Sequence, residues 1–176
     1  VKDRKRDVAN KQNFDEINNA INQQKDLVVL PETAFTTALN RNENLLQKLK
    51  ELSFKIDIIT GALYVENNQI YNASYHFTKG QIQIAKKVVL VPFGEEIPFP
   101  KVVVDFINKV FYNGAQDYSK ASEPTDFVIK GEKFRNAICY EATTDKIFEN
   151  LGNTEYMVAI SNNAWFTPSI EPTLQH

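Results

Sequence analysis

The alternation of short apolar runs with helix-like segments constrains the fold of this chain more than any other feature of its sequence. Residues 27–30 (LVVL) indicate a buried strand, which Pro31 ends. Apolar residues at helical spacing predict an amphipathic helix on either side of this strand, over 12–25 and over 45–52. Helices that alternate with apolar strands are typical of a layered α/β domain.

The rest of the chain is richer in strands. Two β-like segments, 56–65 and 69–77, flank the turn-like residues 66–68, and a third segment, 81–91, ends in VVLV before Pro92. The later predicted elements are a helix from the apolar stripe between Val103 and Phe111, a hairpin of 127–130 and 133–139 around Gly131, a short helix over 145–151 capped by Thr143 or Thr144, and a buried strand over 156–161. Hairpins combined with helix-linked strands predict a mixed sheet in a single domain over residues 1–176.

Composition excludes several classes of protein. Lys and Arg number 20 against 22 Asp and Glu, so the net charge of -2 offers no basic excess for nucleic-acid phosphates. The single cysteine rules out an internal disulfide and any multi-cysteine zinc site. Two distant histidines, His76 and His176, disfavour a histidine-based metal site. We therefore predict no nucleic-acid partner, no metal and no cofactor.

The hydropathy and the two ends of the chain suggest a piece of a longer protein. No apolar run approaches the roughly 20 residues of a membrane-spanning helix, and the polar first ten residues do not resemble a signal peptide. The chain starts at Val1 and ends in an irregular stretch, so we expect a fragment that lacks membrane helices and C-terminal closing elements. Asn72-Ala73-Ser74 matches a glycosylation sequon, a pattern too short to be specific.

Three reactive side chains lie at the ends of the apolar strands. Glu32 follows LVVL-Pro, Lys87 opens VVLV-Pro and Cys139 ends FRNAIC. Taken singly, they have ordinary structural explanations, as a solvated carboxylate, a surface lysine and a buried small hydrophobe. Taken together, the carboxylate could remove the thiol proton if burial raises its pKa, and the lysine could hold the thiolate and then an oxyanion. A helix predicted to start soon after Cys139 would favour the thiolate further.

Four segments occur in an order that resembles one enzyme superfamily. They are LPETAF at 30–35, KVVLVPFGEEIP at 87–98, AICYE at 137–141 and SNNAWF at 161–166. Together they resemble the carbon–nitrogen hydrolase (nitrilase) superfamily, whose catalytic set is Glu, Lys and Cys. LVPFGE, CYE, SNxAWF and the final Gln-His are more similar still to its bacterial apolipoprotein N-acyltransferase family. The resemblance covers about residues 14–176 and implies a nitrilase-like α-β-β-α sandwich with mixed sheets, incomplete in this chain.

The resemblance also implies a catalytic set. Glu32 matches the general base, Cys139 the nucleophile and Lys87 the catalytic lysine. The eight-residue separation from Glu95 in PFGE selects Lys87 over its neighbour Lys86.

Supporting residues follow from the same motifs. Glu95 matches a second essential acid, and a loop ion pair is an equal alternative for it. Glu141 matches an acid beside the nucleophile, which would orient groups around the thiol. Tyr140 and Trp165 are the predicted substrate-binding aromatics; we favour a core position for Tyr140 and substrate contact for Trp165.

For function, the resemblance implies ping-pong acyl transfer by a bacterial inner-membrane protein whose catalytic domain faces the periplasm. Cys139 would take an acyl chain from a phospholipid as a thioester. Glu32 would then deprotonate the N-terminal amine of a diacylglyceryl-cysteine lipoprotein, with Lys87 serving both half-reactions. Two alternatives stay open: a soluble amidase or nitrilase with the same triad, and a non-catalytic scaffold domain. Residues 99–111 are predicted to pack on the core, with a lipid-contacting arm as the alternative.

Overall fold

The computed structural model describes residues 2–91 and 118–162. Its helices and strands, in chain order, are α1 (Lys2–Asn22), β1 (Leu27–Val29), β2 (Phe35–Ala38), α2 (Glu43–Leu52), β3 (Asp57–Glu66), β4 (Gln69–Thr78), β5 (Gln81–Lys86), β6 (Asp126–Ile129), β7 (Glu132–Ile138) and β8 (Tyr156–Ile160). Short 3₁₀ turns cover Leu39–Arg41, Cys139–Thr143 and Asp145–Phe148. No helix in these two stretches is both long enough and apolar enough to cross a membrane.

The first sheet is mixed, as the sequence predicts. β1 and β2 both pair in parallel with β3, whereas β3, β4 and β5 pair antiparallel in succession. The β3–β4 hairpin turns at Asn67 and Asn68, which have φ values of 50° and 60°. Asparagine tolerates this left-handed conformation, which two-residue hairpin turns require.

The second sheet consists of β6, β7 and β8 in that order. β6 and β7 form the predicted antiparallel hairpin around Gly131, and β8 adds to β7 in parallel. The register places Ile138 beside Ile160, so the carboxyl ends of β7 and β8 lie at the same edge of the sheet.

The two sheets and the helices form layers around two cores. On one side of the first sheet, Phe14 and Ile17 of α1 join the core that contains Tyr75 and Phe77 of β4. On the other side, the first sheet packs against the second through a core that includes Ile59, Ala85, Phe127, Phe134, Ile138 and Ile160. Helix, sheet and sheet layers with mixed strands confirm the predicted α/β sandwich class.

Several element boundaries differ from the prediction. α1 starts at Lys2 rather than at residue 12. Residues 2–11 include good helix formers, which extend the helix, but they carry no apolar stripe from which the extension could be predicted. The predicted strand 81–91 ends at Lys86, because the N–H groups of Val88 and Val89 bond to the Glu141 carboxylate instead of to a strand.

Two further elements were predicted wrongly. In place of a helix over 145–151 there is a 3₁₀ turn at Asp145–Phe148. The Thr144 hydroxyl does not cap it, because it donates to the carbonyl of Glu141. The short strand β2 was not predicted, since FTTA carries too few apolar residues to signal a strand.

Candidate functional site

The structure brings Glu32, Lys87 and Cys139 together at one edge of the sandwich. Glu32 lies in the loop after β1, Lys87 directly after β5 and Cys139 directly after β7. The side chains of Glu32 and Lys87 are buried, and Lys87 Nζ lies 3.8 Å from Glu32 Oε1. The charges of Glu32 and Lys87 both act on the partly buried thiol of Cys139. Carboxylate, ammonium and thiol thus form one interacting group.

The Glu32 carboxylate is held from two further directions. Asn72 Nδ2 of β4 donates to Oε1 at 2.7 Å, and the backbone N–H of Asn162 donates to Oε2 at 3.1 Å. Asn162 Nδ2 also donates to Thr33 Oγ1 at 2.9 Å, next to Glu32 in the chain. These bonds fix the carboxylate in a direction that points it toward the thiol and the ammonium.

Asn72 links two members of this group. Its side chain binds Glu32, while its backbone carbonyl accepts from the N–H of Lys87 at 2.9 Å. The sequence suggested only a weak glycosylation pattern here. The structure shows why the residue matters, because Asn72 is buried in β4, where an amide needs a partner.

Cys139 has an unusual backbone. It is the first residue of a 3₁₀ turn and has φ 54°, in the left-handed region that non-glycine residues rarely adopt. Such conformations cluster at functional sites, where the surrounding structure maintains them. At Cys139 this conformation ends β7 and starts the 3₁₀ turn.

The thiol environment differs from the prediction. Burial raises the pKa of Cys139, and the charge of Glu32 raises it further, while Lys87 and the backbone N–H of Tyr140 oppose the shift. A five-residue 3₁₀ turn stands in place of the predicted helix, and although its Tyr140 N–H lowers the pKa of Cys139 as expected of a helix start, burial outweighs this effect. A raised pKa favours the thiol over the thiolate at Cys139, and a thiol needs a base to react.

Glu141 connects the chain on both sides of the reactive groups. Its Oε2 accepts from the N–H groups of Val88 (2.8 Å) and Val89 (3.3 Å), which follow Lys87. Its Oε1 accepts from the N–H of Ile138 (2.7 Å), which precedes Cys139. Burial raises the pKa of Glu141, against the lowering effect of these hydrogen bonds and of Lys87. The Glu141 carboxylate thus links the backbone that follows Lys87 to the backbone that precedes Cys139.

The predicted aromatic and acidic partners are only partly described. Tyr140 is half-buried, and substrate contact and the favoured core position both remain predictions for it. Glu95, Trp165 and the predicted helix between Val103 and Phe111 lie outside the described residues. Within residues 2–91 and 118–162, no cluster of His, Cys, Asp and Glu is suited to a metal ion.

Solved structures share this fold. The chain superposes on a glutamine-dependent NAD+ synthetase from Acinetobacter baumannii with a TM-score of 0.67 at 20% identity, covering 89% of this chain and 29% of that one. Nit3 from Saccharomyces cerevisiae, a member of the nitrilase superfamily, gives 0.63 at 20% identity, covering 89% and 59%. An amidase from Nesterenkonia sp. gives 0.65 at 12% identity, covering 96% and 65%. At these identities the similarity establishes the nitrilase-type fold alone.

Sequence relatives are more similar. The chain is 51% identical over 165 residues to the apolipoprotein N-acyltransferase of Wolinella succinogenes, covering 93% of this chain and 39% of the relative. The corresponding enzyme of Campylobacter jejuni is 47% identical over 156 residues, covering 89% and 34%. The chain therefore spans well under half of the curated relatives it matches. The carbon–nitrogen hydrolase family model matches residues 8–176, and the chain belongs to the carbon–nitrogen hydrolase family.

Proposed function

We propose that residues 1–176 form a single catalytic domain of a bacterial apolipoprotein N-acyltransferase. The observation that carries the proposal is the meeting of Glu32, Lys87 and Cys139 in a chain whose relatives include enzymes of that name at 51% and 47% identity. The proposal places the domain on the periplasmic side of the inner membrane, attached through segments outside this chain.

The first half-reaction forms an acyl-enzyme. As the Cys139 sulfur attacks the ester carbonyl of a phospholipid, Glu32 takes the thiol proton, which the raised pKa of Cys139 keeps in place until then. Lys87 and the backbone N–H of Tyr140, which both favour negative charge at the sulfur, are placed to stabilise the oxyanion. Glu32 returns the proton to the departing alkoxide, which releases a lysophospholipid and leaves a thioester on Cys139.

The second half-reaction uses the same groups in reverse. Glu32 accepts a proton from the N-terminal amine of a diacylglyceryl-cysteine lipoprotein as that amine attacks the thioester carbonyl. The oxyanion forms again beside Lys87, the carbon–sulfur bond breaks, and the proton passes from Glu32 to the sulfur. The products are an amide and the original thiol. One carboxylate held by Asn72 and Asn162 serves both proton transfers.

The geometry also bears on the scaffold alternative. A non-catalytic domain has no need to bury an ammonium and a carboxylate beside a thiol, because burying charged groups is costly. The 3.8 Å separation of Lys87 Nζ and Glu32 Oε1 is within reach of direct interaction. The arrangement therefore supports an enzyme over a scaffold.

Intact-mass spectrometry of the full-length protein tests the proposal. Incubation with phospholipid should add one acyl mass, and a lipopeptide with a free N-terminal amine should remove it. Cys139→Ala should show no added mass, and Phe54→Ala, a change at an exposed aromatic ring after α2, should behave as wild type. No acyl mass in the wild type, with ammonia released from simple amides, would replace the proposal with the amidase alternative. If the wild type shows neither acyl transfer nor ammonia release, the scaffold alternative is favoured.

A further inference from the structure

The loop that carries Glu32 lies directly against β3. β1 pairs with β3 up to Val29 opposite Ile59, and β2 resumes the pairing with Phe35 opposite Ala62. The chain between them is longer than the stretch of β3 it passes, so it leaves the sheet edge as a loop. Pro31 O accepts from the N–H of Ala34 (3.2 Å) and of Gly61 (3.3 Å), which closes the turn and ties it to β3.

Gly61 is the point of closest approach between this loop and β3. A Cβ built on Gly61 would lie 2.6 Å from Glu32 Cα, 2.8 Å from Thr33 N and 2.9 Å from Pro31 O. All three are backbone atoms, which cannot swing aside as a flexible side chain does. To reach an ordinary contact of 3.4 Å, Glu32 Cα would have to move by about 0.8 Å.

Backbone conformation does not explain this glycine. Gly80, Gly131 and Gly152 have positive φ, but Gly61 does not, and it pairs regularly with Ser74 of β4. A side chain at position 61 would therefore fit the strand itself. A side chain at position 61 would instead displace the loop that carries Glu32.

The position of this loop against β3 determines which groups the Glu32 carboxylate can contact. Cross-strand partners share a face of the sheet, so Gly61 and Ser74 lie on the same face as Asn72, two residues from Ser74. The loop crosses this face over Gly61, which lets Asn72 Nδ2 bind Glu32 Oε1 at 2.7 Å. Thr33, with φ 57°, holds the loop in a strained left-handed turn at the same point.

We propose that Gly61 is a positioning residue that sets how deeply Glu32 enters the site, through the absence of its side chain. The inference rests on the proposed role of Glu32 as the base. Because a misplacement of about 1 Å in a catalytic group costs on the order of a hundredfold in rate, one methyl group at position 61 should impair catalysis strongly.

The test compares Gly61→Ala with Ala62→Gly in the full-length protein. Ala62 is the next residue of β3 and belongs to the helix-side core, so its replacement weakens the same strand but adds no atom against the Glu32 loop. We expect Gly61→Ala to lower kcat for lipopeptide acylation by about a hundredfold, with KM changed less than about threefold. Ala62→Gly should stay within about threefold of wild type.

A second readout separates positioning from general damage. The rate at which iodoacetamide alkylates Cys139, followed by peptide mass spectrometry against pH, reports ionisation of the thiol. Glu32 raises the pKa of Cys139, so moving the carboxylate away should shift the profile to lower pH. Glu32→Gln should shift it the same way, and Ala62→Gly should leave it unchanged. A folded Gly61→Ala protein with the wild-type profile and kcat would overturn the inference.

A double variant keeps the test valid if Gly61→Ala does not fold. Glycine at position 33 adopts φ 57° without strain, so Thr33→Gly allows the loop to lift from the added methyl group. Gly61→Ala/Thr33→Gly should fold and show the low kcat and the shifted profile relative to Thr33→Gly alone. Equal activity of these two proteins would overturn the inference. Failure of the proposed function is distinct, because the wild type itself would then form no acyl-enzyme.

Discussion

The two sides of β4 differ in chemistry although their residues alternate along one strand. On the helix side lie Tyr71, Ala73, Tyr75 and Phe77, and on the side of the second sheet lie Asn72, Ser74 and His76. All seven residues are buried. Alternation of this kind normally marks a half-buried strand with a solvated polar side. Here it marks a sheet covered on both sides, in which β4 gives apolar side chains to the helix-side core and the amide that holds Glu32 to the other side.

The contrast shows how the fold divides its tasks. Apolar burial on the helix side stabilises the domain at roughly 25 cal/mol per Å². Polar groups buried on the opposite side cost free energy unless they are bonded, and Asn72 is bonded to Glu32. The four changes below test this division, in order of decreasing expected effect.

Phe77→Ala should cause the largest loss of stability. Phe77 is fully buried on the helix side and stacks on Tyr75, with ring centroids 6.1 Å apart. Removing the ring should lower the free energy of unfolding by about 3–5 kcal/mol, measured by pulse proteolysis of the domain within the full-length protein. Phe54→Ala, at an exposed ring, should cost less than about 1 kcal/mol. Equal losses would show that burial of the Phe77 ring on the helix side contributes nothing to stability.

Glu141→Gln tests the backbone link between Lys87 and Cys139. Glutamine keeps the size of the side chain but has one acceptor oxygen, so it cannot serve both Val88 N–H and Ile138 N–H. We expect a loss of about 1–3 kcal/mol in unfolding free energy, since a buried donor is left unbonded. Thr143→Ala in the same turn, at an exposed hydroxyl bond, should cost less. Unchanged stability in Glu141→Gln would show that the hydrogen bonds of Glu141 to the backbone do not stabilise the fold.

Asn72→Leu tests whether the polar side serves the site rather than the fold. Without the amide, Glu32 loses one of its donors, and acyl transfer should slow by about tenfold to a hundredfold. Ser74→Ala is the matched control, because the Ser74 hydroxyl is buried with no hydrogen-bond partner in the described part of the chain. That variant should keep wild-type activity with stability unchanged or raised. Comparable activity in both variants would contradict the assignment.

His76→Phe should have the smallest effect, a change in the pH dependence of stability. Burial lowers the pKa of His76, against the raising influence of Asp57 and Gln83. Below the unfolded-state pKa of about 6.5, the unfolded chain binds a proton that the folded chain does not. Stability should therefore fall with pH below that value, by at most about 1.4 kcal/mol per pH unit. In His76→Phe, which extends the cluster of Phe127 and Phe134, this part of the slope should disappear between pH 7 and 5.

Individual residues show why some of the site could be predicted and some could not. Glu32, Lys87 and Cys139 each end or follow an apolar strand, and strand ends converge at sheet edges, so their order along the chain was informative. Asn72 and Gly61 lie inside strands, where their importance depends on a loop from another part of the chain. The shift in the Cys139 pKa depended on burial, which no local pattern reports.

The sequence by itself determined the class of the fold, most of its strands, and which carboxylate, amine and thiol to consider, because apolar periodicity and residue order are local properties. Only the tertiary structure decided that β4 is buried on both sides and that the backbone after Lys86 bonds to Glu141 instead of to a strand. It also decided that the Glu32 loop packs directly against Gly61. These features arise from contacts between residues far apart in the chain. Their distances and burial exist only once the layers have packed together.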